Sequence, residues 1–178
     1  RDGVDRSLHL FGSQREIPPG WFSGSSAAFV LVLTPLIAIL TRRLRASSIA
    51  KIIAGVCLGA LSFAILWLAT KGGGGARVHP GWLLGHYMTM TLGELLLAPI
   101  GLSVVSKLAP ARWSGVLFGL WYVSAAVGNW LSGSIVRLWM QWTHERFFGF
   151  LALLLLSTAG LLLTQRSWLG RTLPPNGT

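Results

Sequence analysis

Acidic residues are scarce: five Asp and Glu stand against fifteen Lys and Arg in 178 residues, for a formal net charge of +10. Charged residues of every kind make up only 11% of the chain. Soluble domains carry about 25%, so a soluble single domain is not expected. A lone cysteine, Cys57, excludes a disulfide framework and a multi-cysteine zinc site. The four histidines, His9, His79, His86 and His144, show no ligand spacing. There is no Gly-rich phosphate loop ending in Lys-Ser/Thr and no serine nucleophile elbow. The glycine run Gly72–Gly75 follows Lys71 without separating a strand from a helix, and reads as a flexible loop. Neither a metal nor a cofactor is expected. Disorder is excluded as well, because 52% of residues are hydrophobic and 11% aromatic.

What the chain has is long apolar runs. A helix needs about 20 mainly apolar residues to span a bilayer. Five stretches qualify: about 22–41, 52–70, 81–106, 113–136 and 147–165. The breakers agree, with Pro18-Pro19-Gly20 before the first, Gly72–Gly75 and Pro80 between the second and third, and Pro110 between the third and fourth. Pro35 and Pro99 fall inside segments, where they predict kinks or partial breaks. The fold class is therefore all-α, a polytopic membrane helix bundle of about five transmembrane helices occupying residues 21–165. The leader, residues 1–20, is polar and lacks the features of a signal peptide. It begins with Arg1 and reads as cut from a longer chain. Residues 166–178 form a tail.

In a soluble protein the basic excess would suggest nucleic acid. Here the cations lie between apolar runs, so the expected partner is the lipid bilayer and not nucleic acid. Arg42, Arg43, Arg45, Lys51, Lys107, Arg112, Arg166 and Arg171 fall on one face, against Lys71, Arg77, Arg137 and Arg146 in the loops of the other. The positive-inside rule puts the first group and the C-terminus in the cytoplasm and the leader outside. Trp21, Trp82, Trp113, Trp139, Trp142 and Trp168 fall near segment ends, as an interfacial belt would.

Small residues recur at helical spacing in two segments: Gly55 and Gly59 in the second, then Gly115, Gly119, Ser124, Gly128 and Ser132 in the fourth. Such stripes let helix backbones approach closely, for fixed packing or for helices that rock past each other. The fifth segment is apolar all round and reads as lipid-facing.

Glu94 is the one acid in the middle of a span. A charge there costs about 2.5–3.5 kcal/mol on insertion scales. Desolvation favours its protonated form and a nearby cation favours the carboxylate, so a site with both influences exchanges a proton for a cationic group. A permanent interhelical hydrogen bond is the plainer alternative. His86, Met90 and Glu94 recur every four residues, as if on one helix face. His86 lies about 12 Å from Glu94 along a helix, which suits a polar residue near the outer mouth or a relay, not a direct hydrogen bond. Trp121, Tyr122, Ser124 and Asn129 bring polar handles to membrane depth. Trp121 suits either a pocket wall or packing, and Asn129 an interhelical hydrogen bond.

The run YMTMTLGELLLAPIGLSVVSKLAPARWSGVLFGLWY, residues 87–122, closely resembles the tenth and eleventh helices of proton-dependent oligopeptide transporters of the major facilitator superfamily. The resemblance is carried by Tyr87, Thr91, Gly93-Glu94, Pro99, Gly101-Leu102-Ser103, Lys107-Leu108-Ala109-Pro110, Gly115, Gly119 and Trp121. IPPGWFSGSSAAFVLVLTPLIAIL is similar, more loosely, to the entry into the eighth helix. The resemblance implies a partial C-terminal half, helices eight to twelve, preceded by the outer end of the seventh.

It further implies a proton-coupled di- or tripeptide symporter of the cell membrane, a bacterial inner membrane, working by alternating access. Small peptides and protons would be its partners, with an N-terminal half that this sequence does not contain. Glu94 would bind the peptide amino terminus and take part in proton coupling. Trp121 and Ser124 would line the cavity. Ser26-Ala27 stands where the family commonly has Asn-Pro, which shortens a polar substrate contact at Ser26. Alternatives are a carrier of another small solute, a membrane enzyme using Glu94 and His86 as acid and base, and a non-transporting structural subunit.

Overall fold

The computed structural model describes residues 7–10, 13–16, 19–43, 47–72, 78–108 and 110–166. Five long helices follow a short hairpin. They are α1 (Pro19–Arg43), α2 (Ser48–Gly72), α3 (Pro80–Leu108), α4 (Ser114–Gln141) and α5 (His144–Thr164). A single 3-10 turn, Ala111–Trp113, leads into α4. The five-helix membrane bundle expected from the apolar runs is present. α1, α2 and α5 contain spans long and apolar enough to cross a membrane by composition alone. α3 and α4 are the longest of the five, at 29 and 28 residues, about 42–44 Å at 1.5 Å per residue. They carry the polar residues of the chain's middle.

The leader differs from expectation. Ser7–Leu10 (β1) and Ser13–Glu16 (β2) pair antiparallel, with Leu10 opposite Ser13, where the end of a preceding helix was expected. Ser7–Leu10 alternates polar and apolar residues, while Ser13–Glu16 is polar throughout, so the hairpin rests on strand pairing and not on a shared alternation. Pro35 and Pro99 do not break their helices: α1 and α3 run through both. The Gly72–Gly75 loop lies outside the described residues beyond Gly72, as do Trp21's side chain, Trp168 and the tail from Ser167.

α2 is the centre of the bundle. It packs along α3 on one side and α5 on the other, while α1 lies against α3. The buried positions Ile49, Ile53, Gly55, Gly59, Ala60, Ser62, Leu66 and Ala69 run its whole length. On α5, Phe147, Ala152 and Ala159 are buried while Leu153, Leu156 and Leu161 are exposed. So α5 is not outward-facing all round: one face of small side chains meets α2, and the leucine face looks out.

Small residues set the closeness. A methyl group at Gly93 would come within 2.8 Å of the Gly55 carbonyl oxygen, and one at Gly55 within 2.7 Å of Leu97. Here the two backbones touch, as glycine permits at membrane helix crossings. Gly149 of α5 likewise admits the Trp67 ring, at 3.1 Å from a built methyl, and Lys71 sits over that ring at 5.0 Å from its centroid.

α4 is different. It buries no residue. It meets α3 near its start and α5 near its end, and every residue from Tyr122 to Ser134 is exposed. A methyl group at Gly115, Gly119, Gly128 or Gly133 would meet nothing within 4 Å. The stripe expected to pack in α4 therefore has no neighbour among the described residues. Asn129 is exposed too, and among the described residues it makes no interhelical hydrogen bond of the kind expected of it. At the far end, Trp139 stacks edge-on with His144, Phe147 and Phe148 at 4.3, 5.2 and 5.5 Å between ring centroids. α5 then starts with Thr143, whose Oγ1 accepts from the Arg146 amide.

Candidate functional site

The α2–α3 seam decides where the polar residues of α3 point. His86 Nδ1 lies 3.0 Å from the Ser62 carbonyl oxygen. Ser62 is fully buried, donates to the Gly59 carbonyl at 2.7 Å, and meets Met90 Sδ at 3.6 Å. With Gly93 and Leu97 on Gly55, α3 turns residues 86, 90, 93 and 97 toward α2. The steps are four, three and four. Pure four-residue steps drift about 40° each on a helix of 3.6 residues per turn. Alternating steps hold a straight seam.

Glu94 lies about 40° past Met90 and about 80° past His86 round the helix, at the edge of the α2 seam and not in it. It stands about 100° round the helix from Gly93 and is exposed. His86 belongs to the interface instead. Its ring contacts Phe63 and Tyr87, each at 5.3 Å between centroids. Locked between α2 and α3, His86 is no acid–base partner for Glu94.

Trp121 of α4 is half-buried. The outer edge of its indole fits against Gly101 of α3, where a methyl group would lie 2.8 and 3.0 Å from Cζ3 and Cζ2. Gly101 is seven residues from Glu94. Seven residues fall about 20° short of two full turns, with a rise of about 10.5 Å. Trp121 is thus seated on the side of α3 that carries Glu94. Ser124 is exposed, and its hydroxyl donates to the Trp121 carbonyl at 2.7 Å. Ser26 sits half-buried on α1, the helix that lies against α3. Gly101, which seats Trp121, lies about 20° round α3 from Glu94 and about 60° from His86, so the fold brings Glu94 and Trp121 to one side of α3 while His86 is held in the α2 seam. The contact between Gly101 and Trp121 was not foreseen from the sequence. Its signal was a glycine two turns from the acid, inside a long helix where glycine costs about 1 kcal/mol relative to alanine.

A helical bundle with several spans long and apolar enough to cross a membrane defines a multi-pass membrane protein. A family model described as PTR2, POT family, matches residues 6–151, and the chain belongs to the POT family. It is 38% identical over 142 residues to the peptide transporter YePEPT of Yersinia enterocolitica, covering 75% of this chain and 27% of that protein. It is 32% identical over 163 residues to the transporter YclF of Bacillus subtilis, covering 90% and 33%. A di-/tripeptide transporter of Lactococcus lactis is 28% identical over 142 residues, covering 78% and 29%. The chain thus spans about a quarter to a third of these relatives, all of them transporters and none an enzyme. Among solved structures, a mutant of the peptide transporter POT in complex with alafosfalin superposes with a TM-score of 0.83 at 30% identity. That match covers 98% of this chain and 36% of the other. A POT family transporter in complex with 5-aminolevulinic acid gives 0.82 at 25% identity, covering 91% and 34%.

Proposed function

We propose that the chain is the C-terminal part of a proton-coupled di- or tripeptide symporter, with Glu94 binding the peptide amino terminus. The observation that carries this reading is the exposed carboxylate of Glu94 on the side of α3 where the Trp121 ring is seated. An acid at membrane depth that is not held by a neighbouring helix is available to a ligand or a proton. Exchange of a bound peptide ammonium for a proton at this acid is the proposed coupling step. That exchange releases the peptide as two halves of a transporter rock about a midplane site. Trp121 would supply an apolar wall two turns along α3 from the acid, with Ser124 and Ser26 as polar contacts. The names of the relatives, a peptide transporter and a di-/tripeptide transporter, support small peptides as the cargo. The cation-rich loops support a cytoplasmic C-terminus in a bacterial inner membrane.

The test is dipeptide uptake by the full-length transporter in vesicles with an imposed proton gradient. Glu94→Gln is expected to abolish gradient-driven uptake while leaving the protein in the membrane. Undiminished coupled uptake overturns the assignment. A second reading, a carrier of another small solute, is favoured by Ser26-Ala27 at the entry of α1. Competition by non-peptide solutes against labelled dipeptide separates the two.

A further inference from the structure

We propose that Gly101 is a positioning residue: a notch in α3 that seats the Trp121 indole on the side of the helix that carries Glu94, two turns from the acid. The notch contact differs from the helix-crossing contacts at Gly55 and Gly93 and shares with Gly149, which faces Trp67 at 3.1 Å, a tryptophan ring as its neighbour, but the Gly101 contact is the tighter of the two. At Gly55 and Gly93 a built methyl meets the facing backbone or a leucine; at Gly101 the three nearest atoms, Cη2, Cζ3 and Cζ2, are all the outer edge of one ring. The ring edge fills the space that any side chain at 101 would need. Trp121 is also the last residue of α4 to be shielded before the exposed run from Tyr122 to Ser134. With Leu117 and Phe118 also half-buried in the turn before it, Trp121 closes the shielded start of α4, and its ring fills the gap at Gly101. Bulk at 101 has only two outlets: the indole turns out of the gap, or α4 moves off α3. Both shift the ring relative to Glu94, two turns away on the same side of α3.

The proposal rests on the transport reading above for its effect on substrate, and on geometry alone for the socket. Phenylalanine lacks the outer indole edge, so it separates the two. In the full-length transporter, Gly101→Ala is expected to raise KM for a labelled dipeptide about tenfold with kcat nearly unchanged, the range of an overpacked contact. In a Trp121→Phe background the same change is expected to have almost no effect. Gly160→Ala, at a site with nothing within 4 Å, is the control. Thermal unfolding of the four proteins of the cycle, unsubstituted, Gly101→Ala, Trp121→Phe and the double variant, is run alongside. Equal KM increases in both backgrounds overturn the proposal, as does a cycle seen in unfolding but not in KM, which would leave Gly101 a packing residue only. If Gly101→Ala does not reach the membrane, recovery of membrane protein in the double variant supports the notch, and no recovery overturns it. If the unsubstituted transporter takes up no peptide, the transport reading fails. The unfolding cycle then still reads the socket.

Discussion

Two stripes of small residues, one on α2 and one on α4, end up in opposite surroundings. On α2, Gly55 and Gly59 are buried against α3 and α5. On α4, Gly115, Gly119 and Gly128 face open space among the described residues. The spacing is the same and the neighbourhood is not. Small residues every four positions show that a helix can be approached closely; they do not say by what. On α2 the approach is made within this chain. On α4 the bare stretch matches a chain that spans only about a third of its relatives.

The strongest break of that contrast is Gly93→Leu. Its side chain would press on the Gly55 backbone, and α2 and α3 would have to part. We expect loss of folded transporter, read as the monodisperse fraction after detergent extraction, whereas Gly128→Leu should retain more. Next in size is Gly93→Ala, expected to cost about 1–3 kcal/mol as an overpacked contact and read as a fall in the unfolding midpoint. Ser62→Ala, which removes the buried hydroxyl between Gly59 and Met90, should cost about 0.6–2 kcal/mol, the range for polar contacts between membrane helices. Chemical access sharpens the comparison further. With Cys57→Ser as background, Ser124→Cys should react with a water-soluble thiol reagent and Ser62→Cys should not. The smallest effect is at the α4–α5 junction, where Thr143→Ala removes a 3.4 Å cap and should cost about 0.5 kcal/mol, the low end for N-caps.

The helices were legible because hydrophobic length is a one-dimensional property. Each apolar run became one helix, although α4 continues to Gln141 and draws Trp139 into the stack on α5. Glu94 was legible for a similar reason: a lone acid in an apolar run is conspicuous whatever surrounds it. The partners of Glu94 were not. Equal four-residue spacing grouped it with His86 and Met90, but the contact with α2 is kept by alternating steps and settles on Gly93. Which of two adjacent residues takes the seam depends on the facing helix, Gly55 in particular, and no pattern within α3 contains that. The notch at Gly101 was hidden because its ring comes from a separate helix. The hairpin was hidden because four-residue strands carry too little alternation to stand out in a mixed-charge leader.

The contact between His86 and Ser62 fixes where one proton sits. A carbonyl oxygen has no hydrogen to give, so the 3.0 Å contact requires Nδ1 to carry the hydrogen. Neutral His86 is therefore the Nδ1–H tautomer, the less common form of free imidazole, and its Nε2 keeps a lone pair. Nitrogen-15 spectra of histidine-labelled protein would show it as one imidazole with the two ring nitrogens exchanged in character.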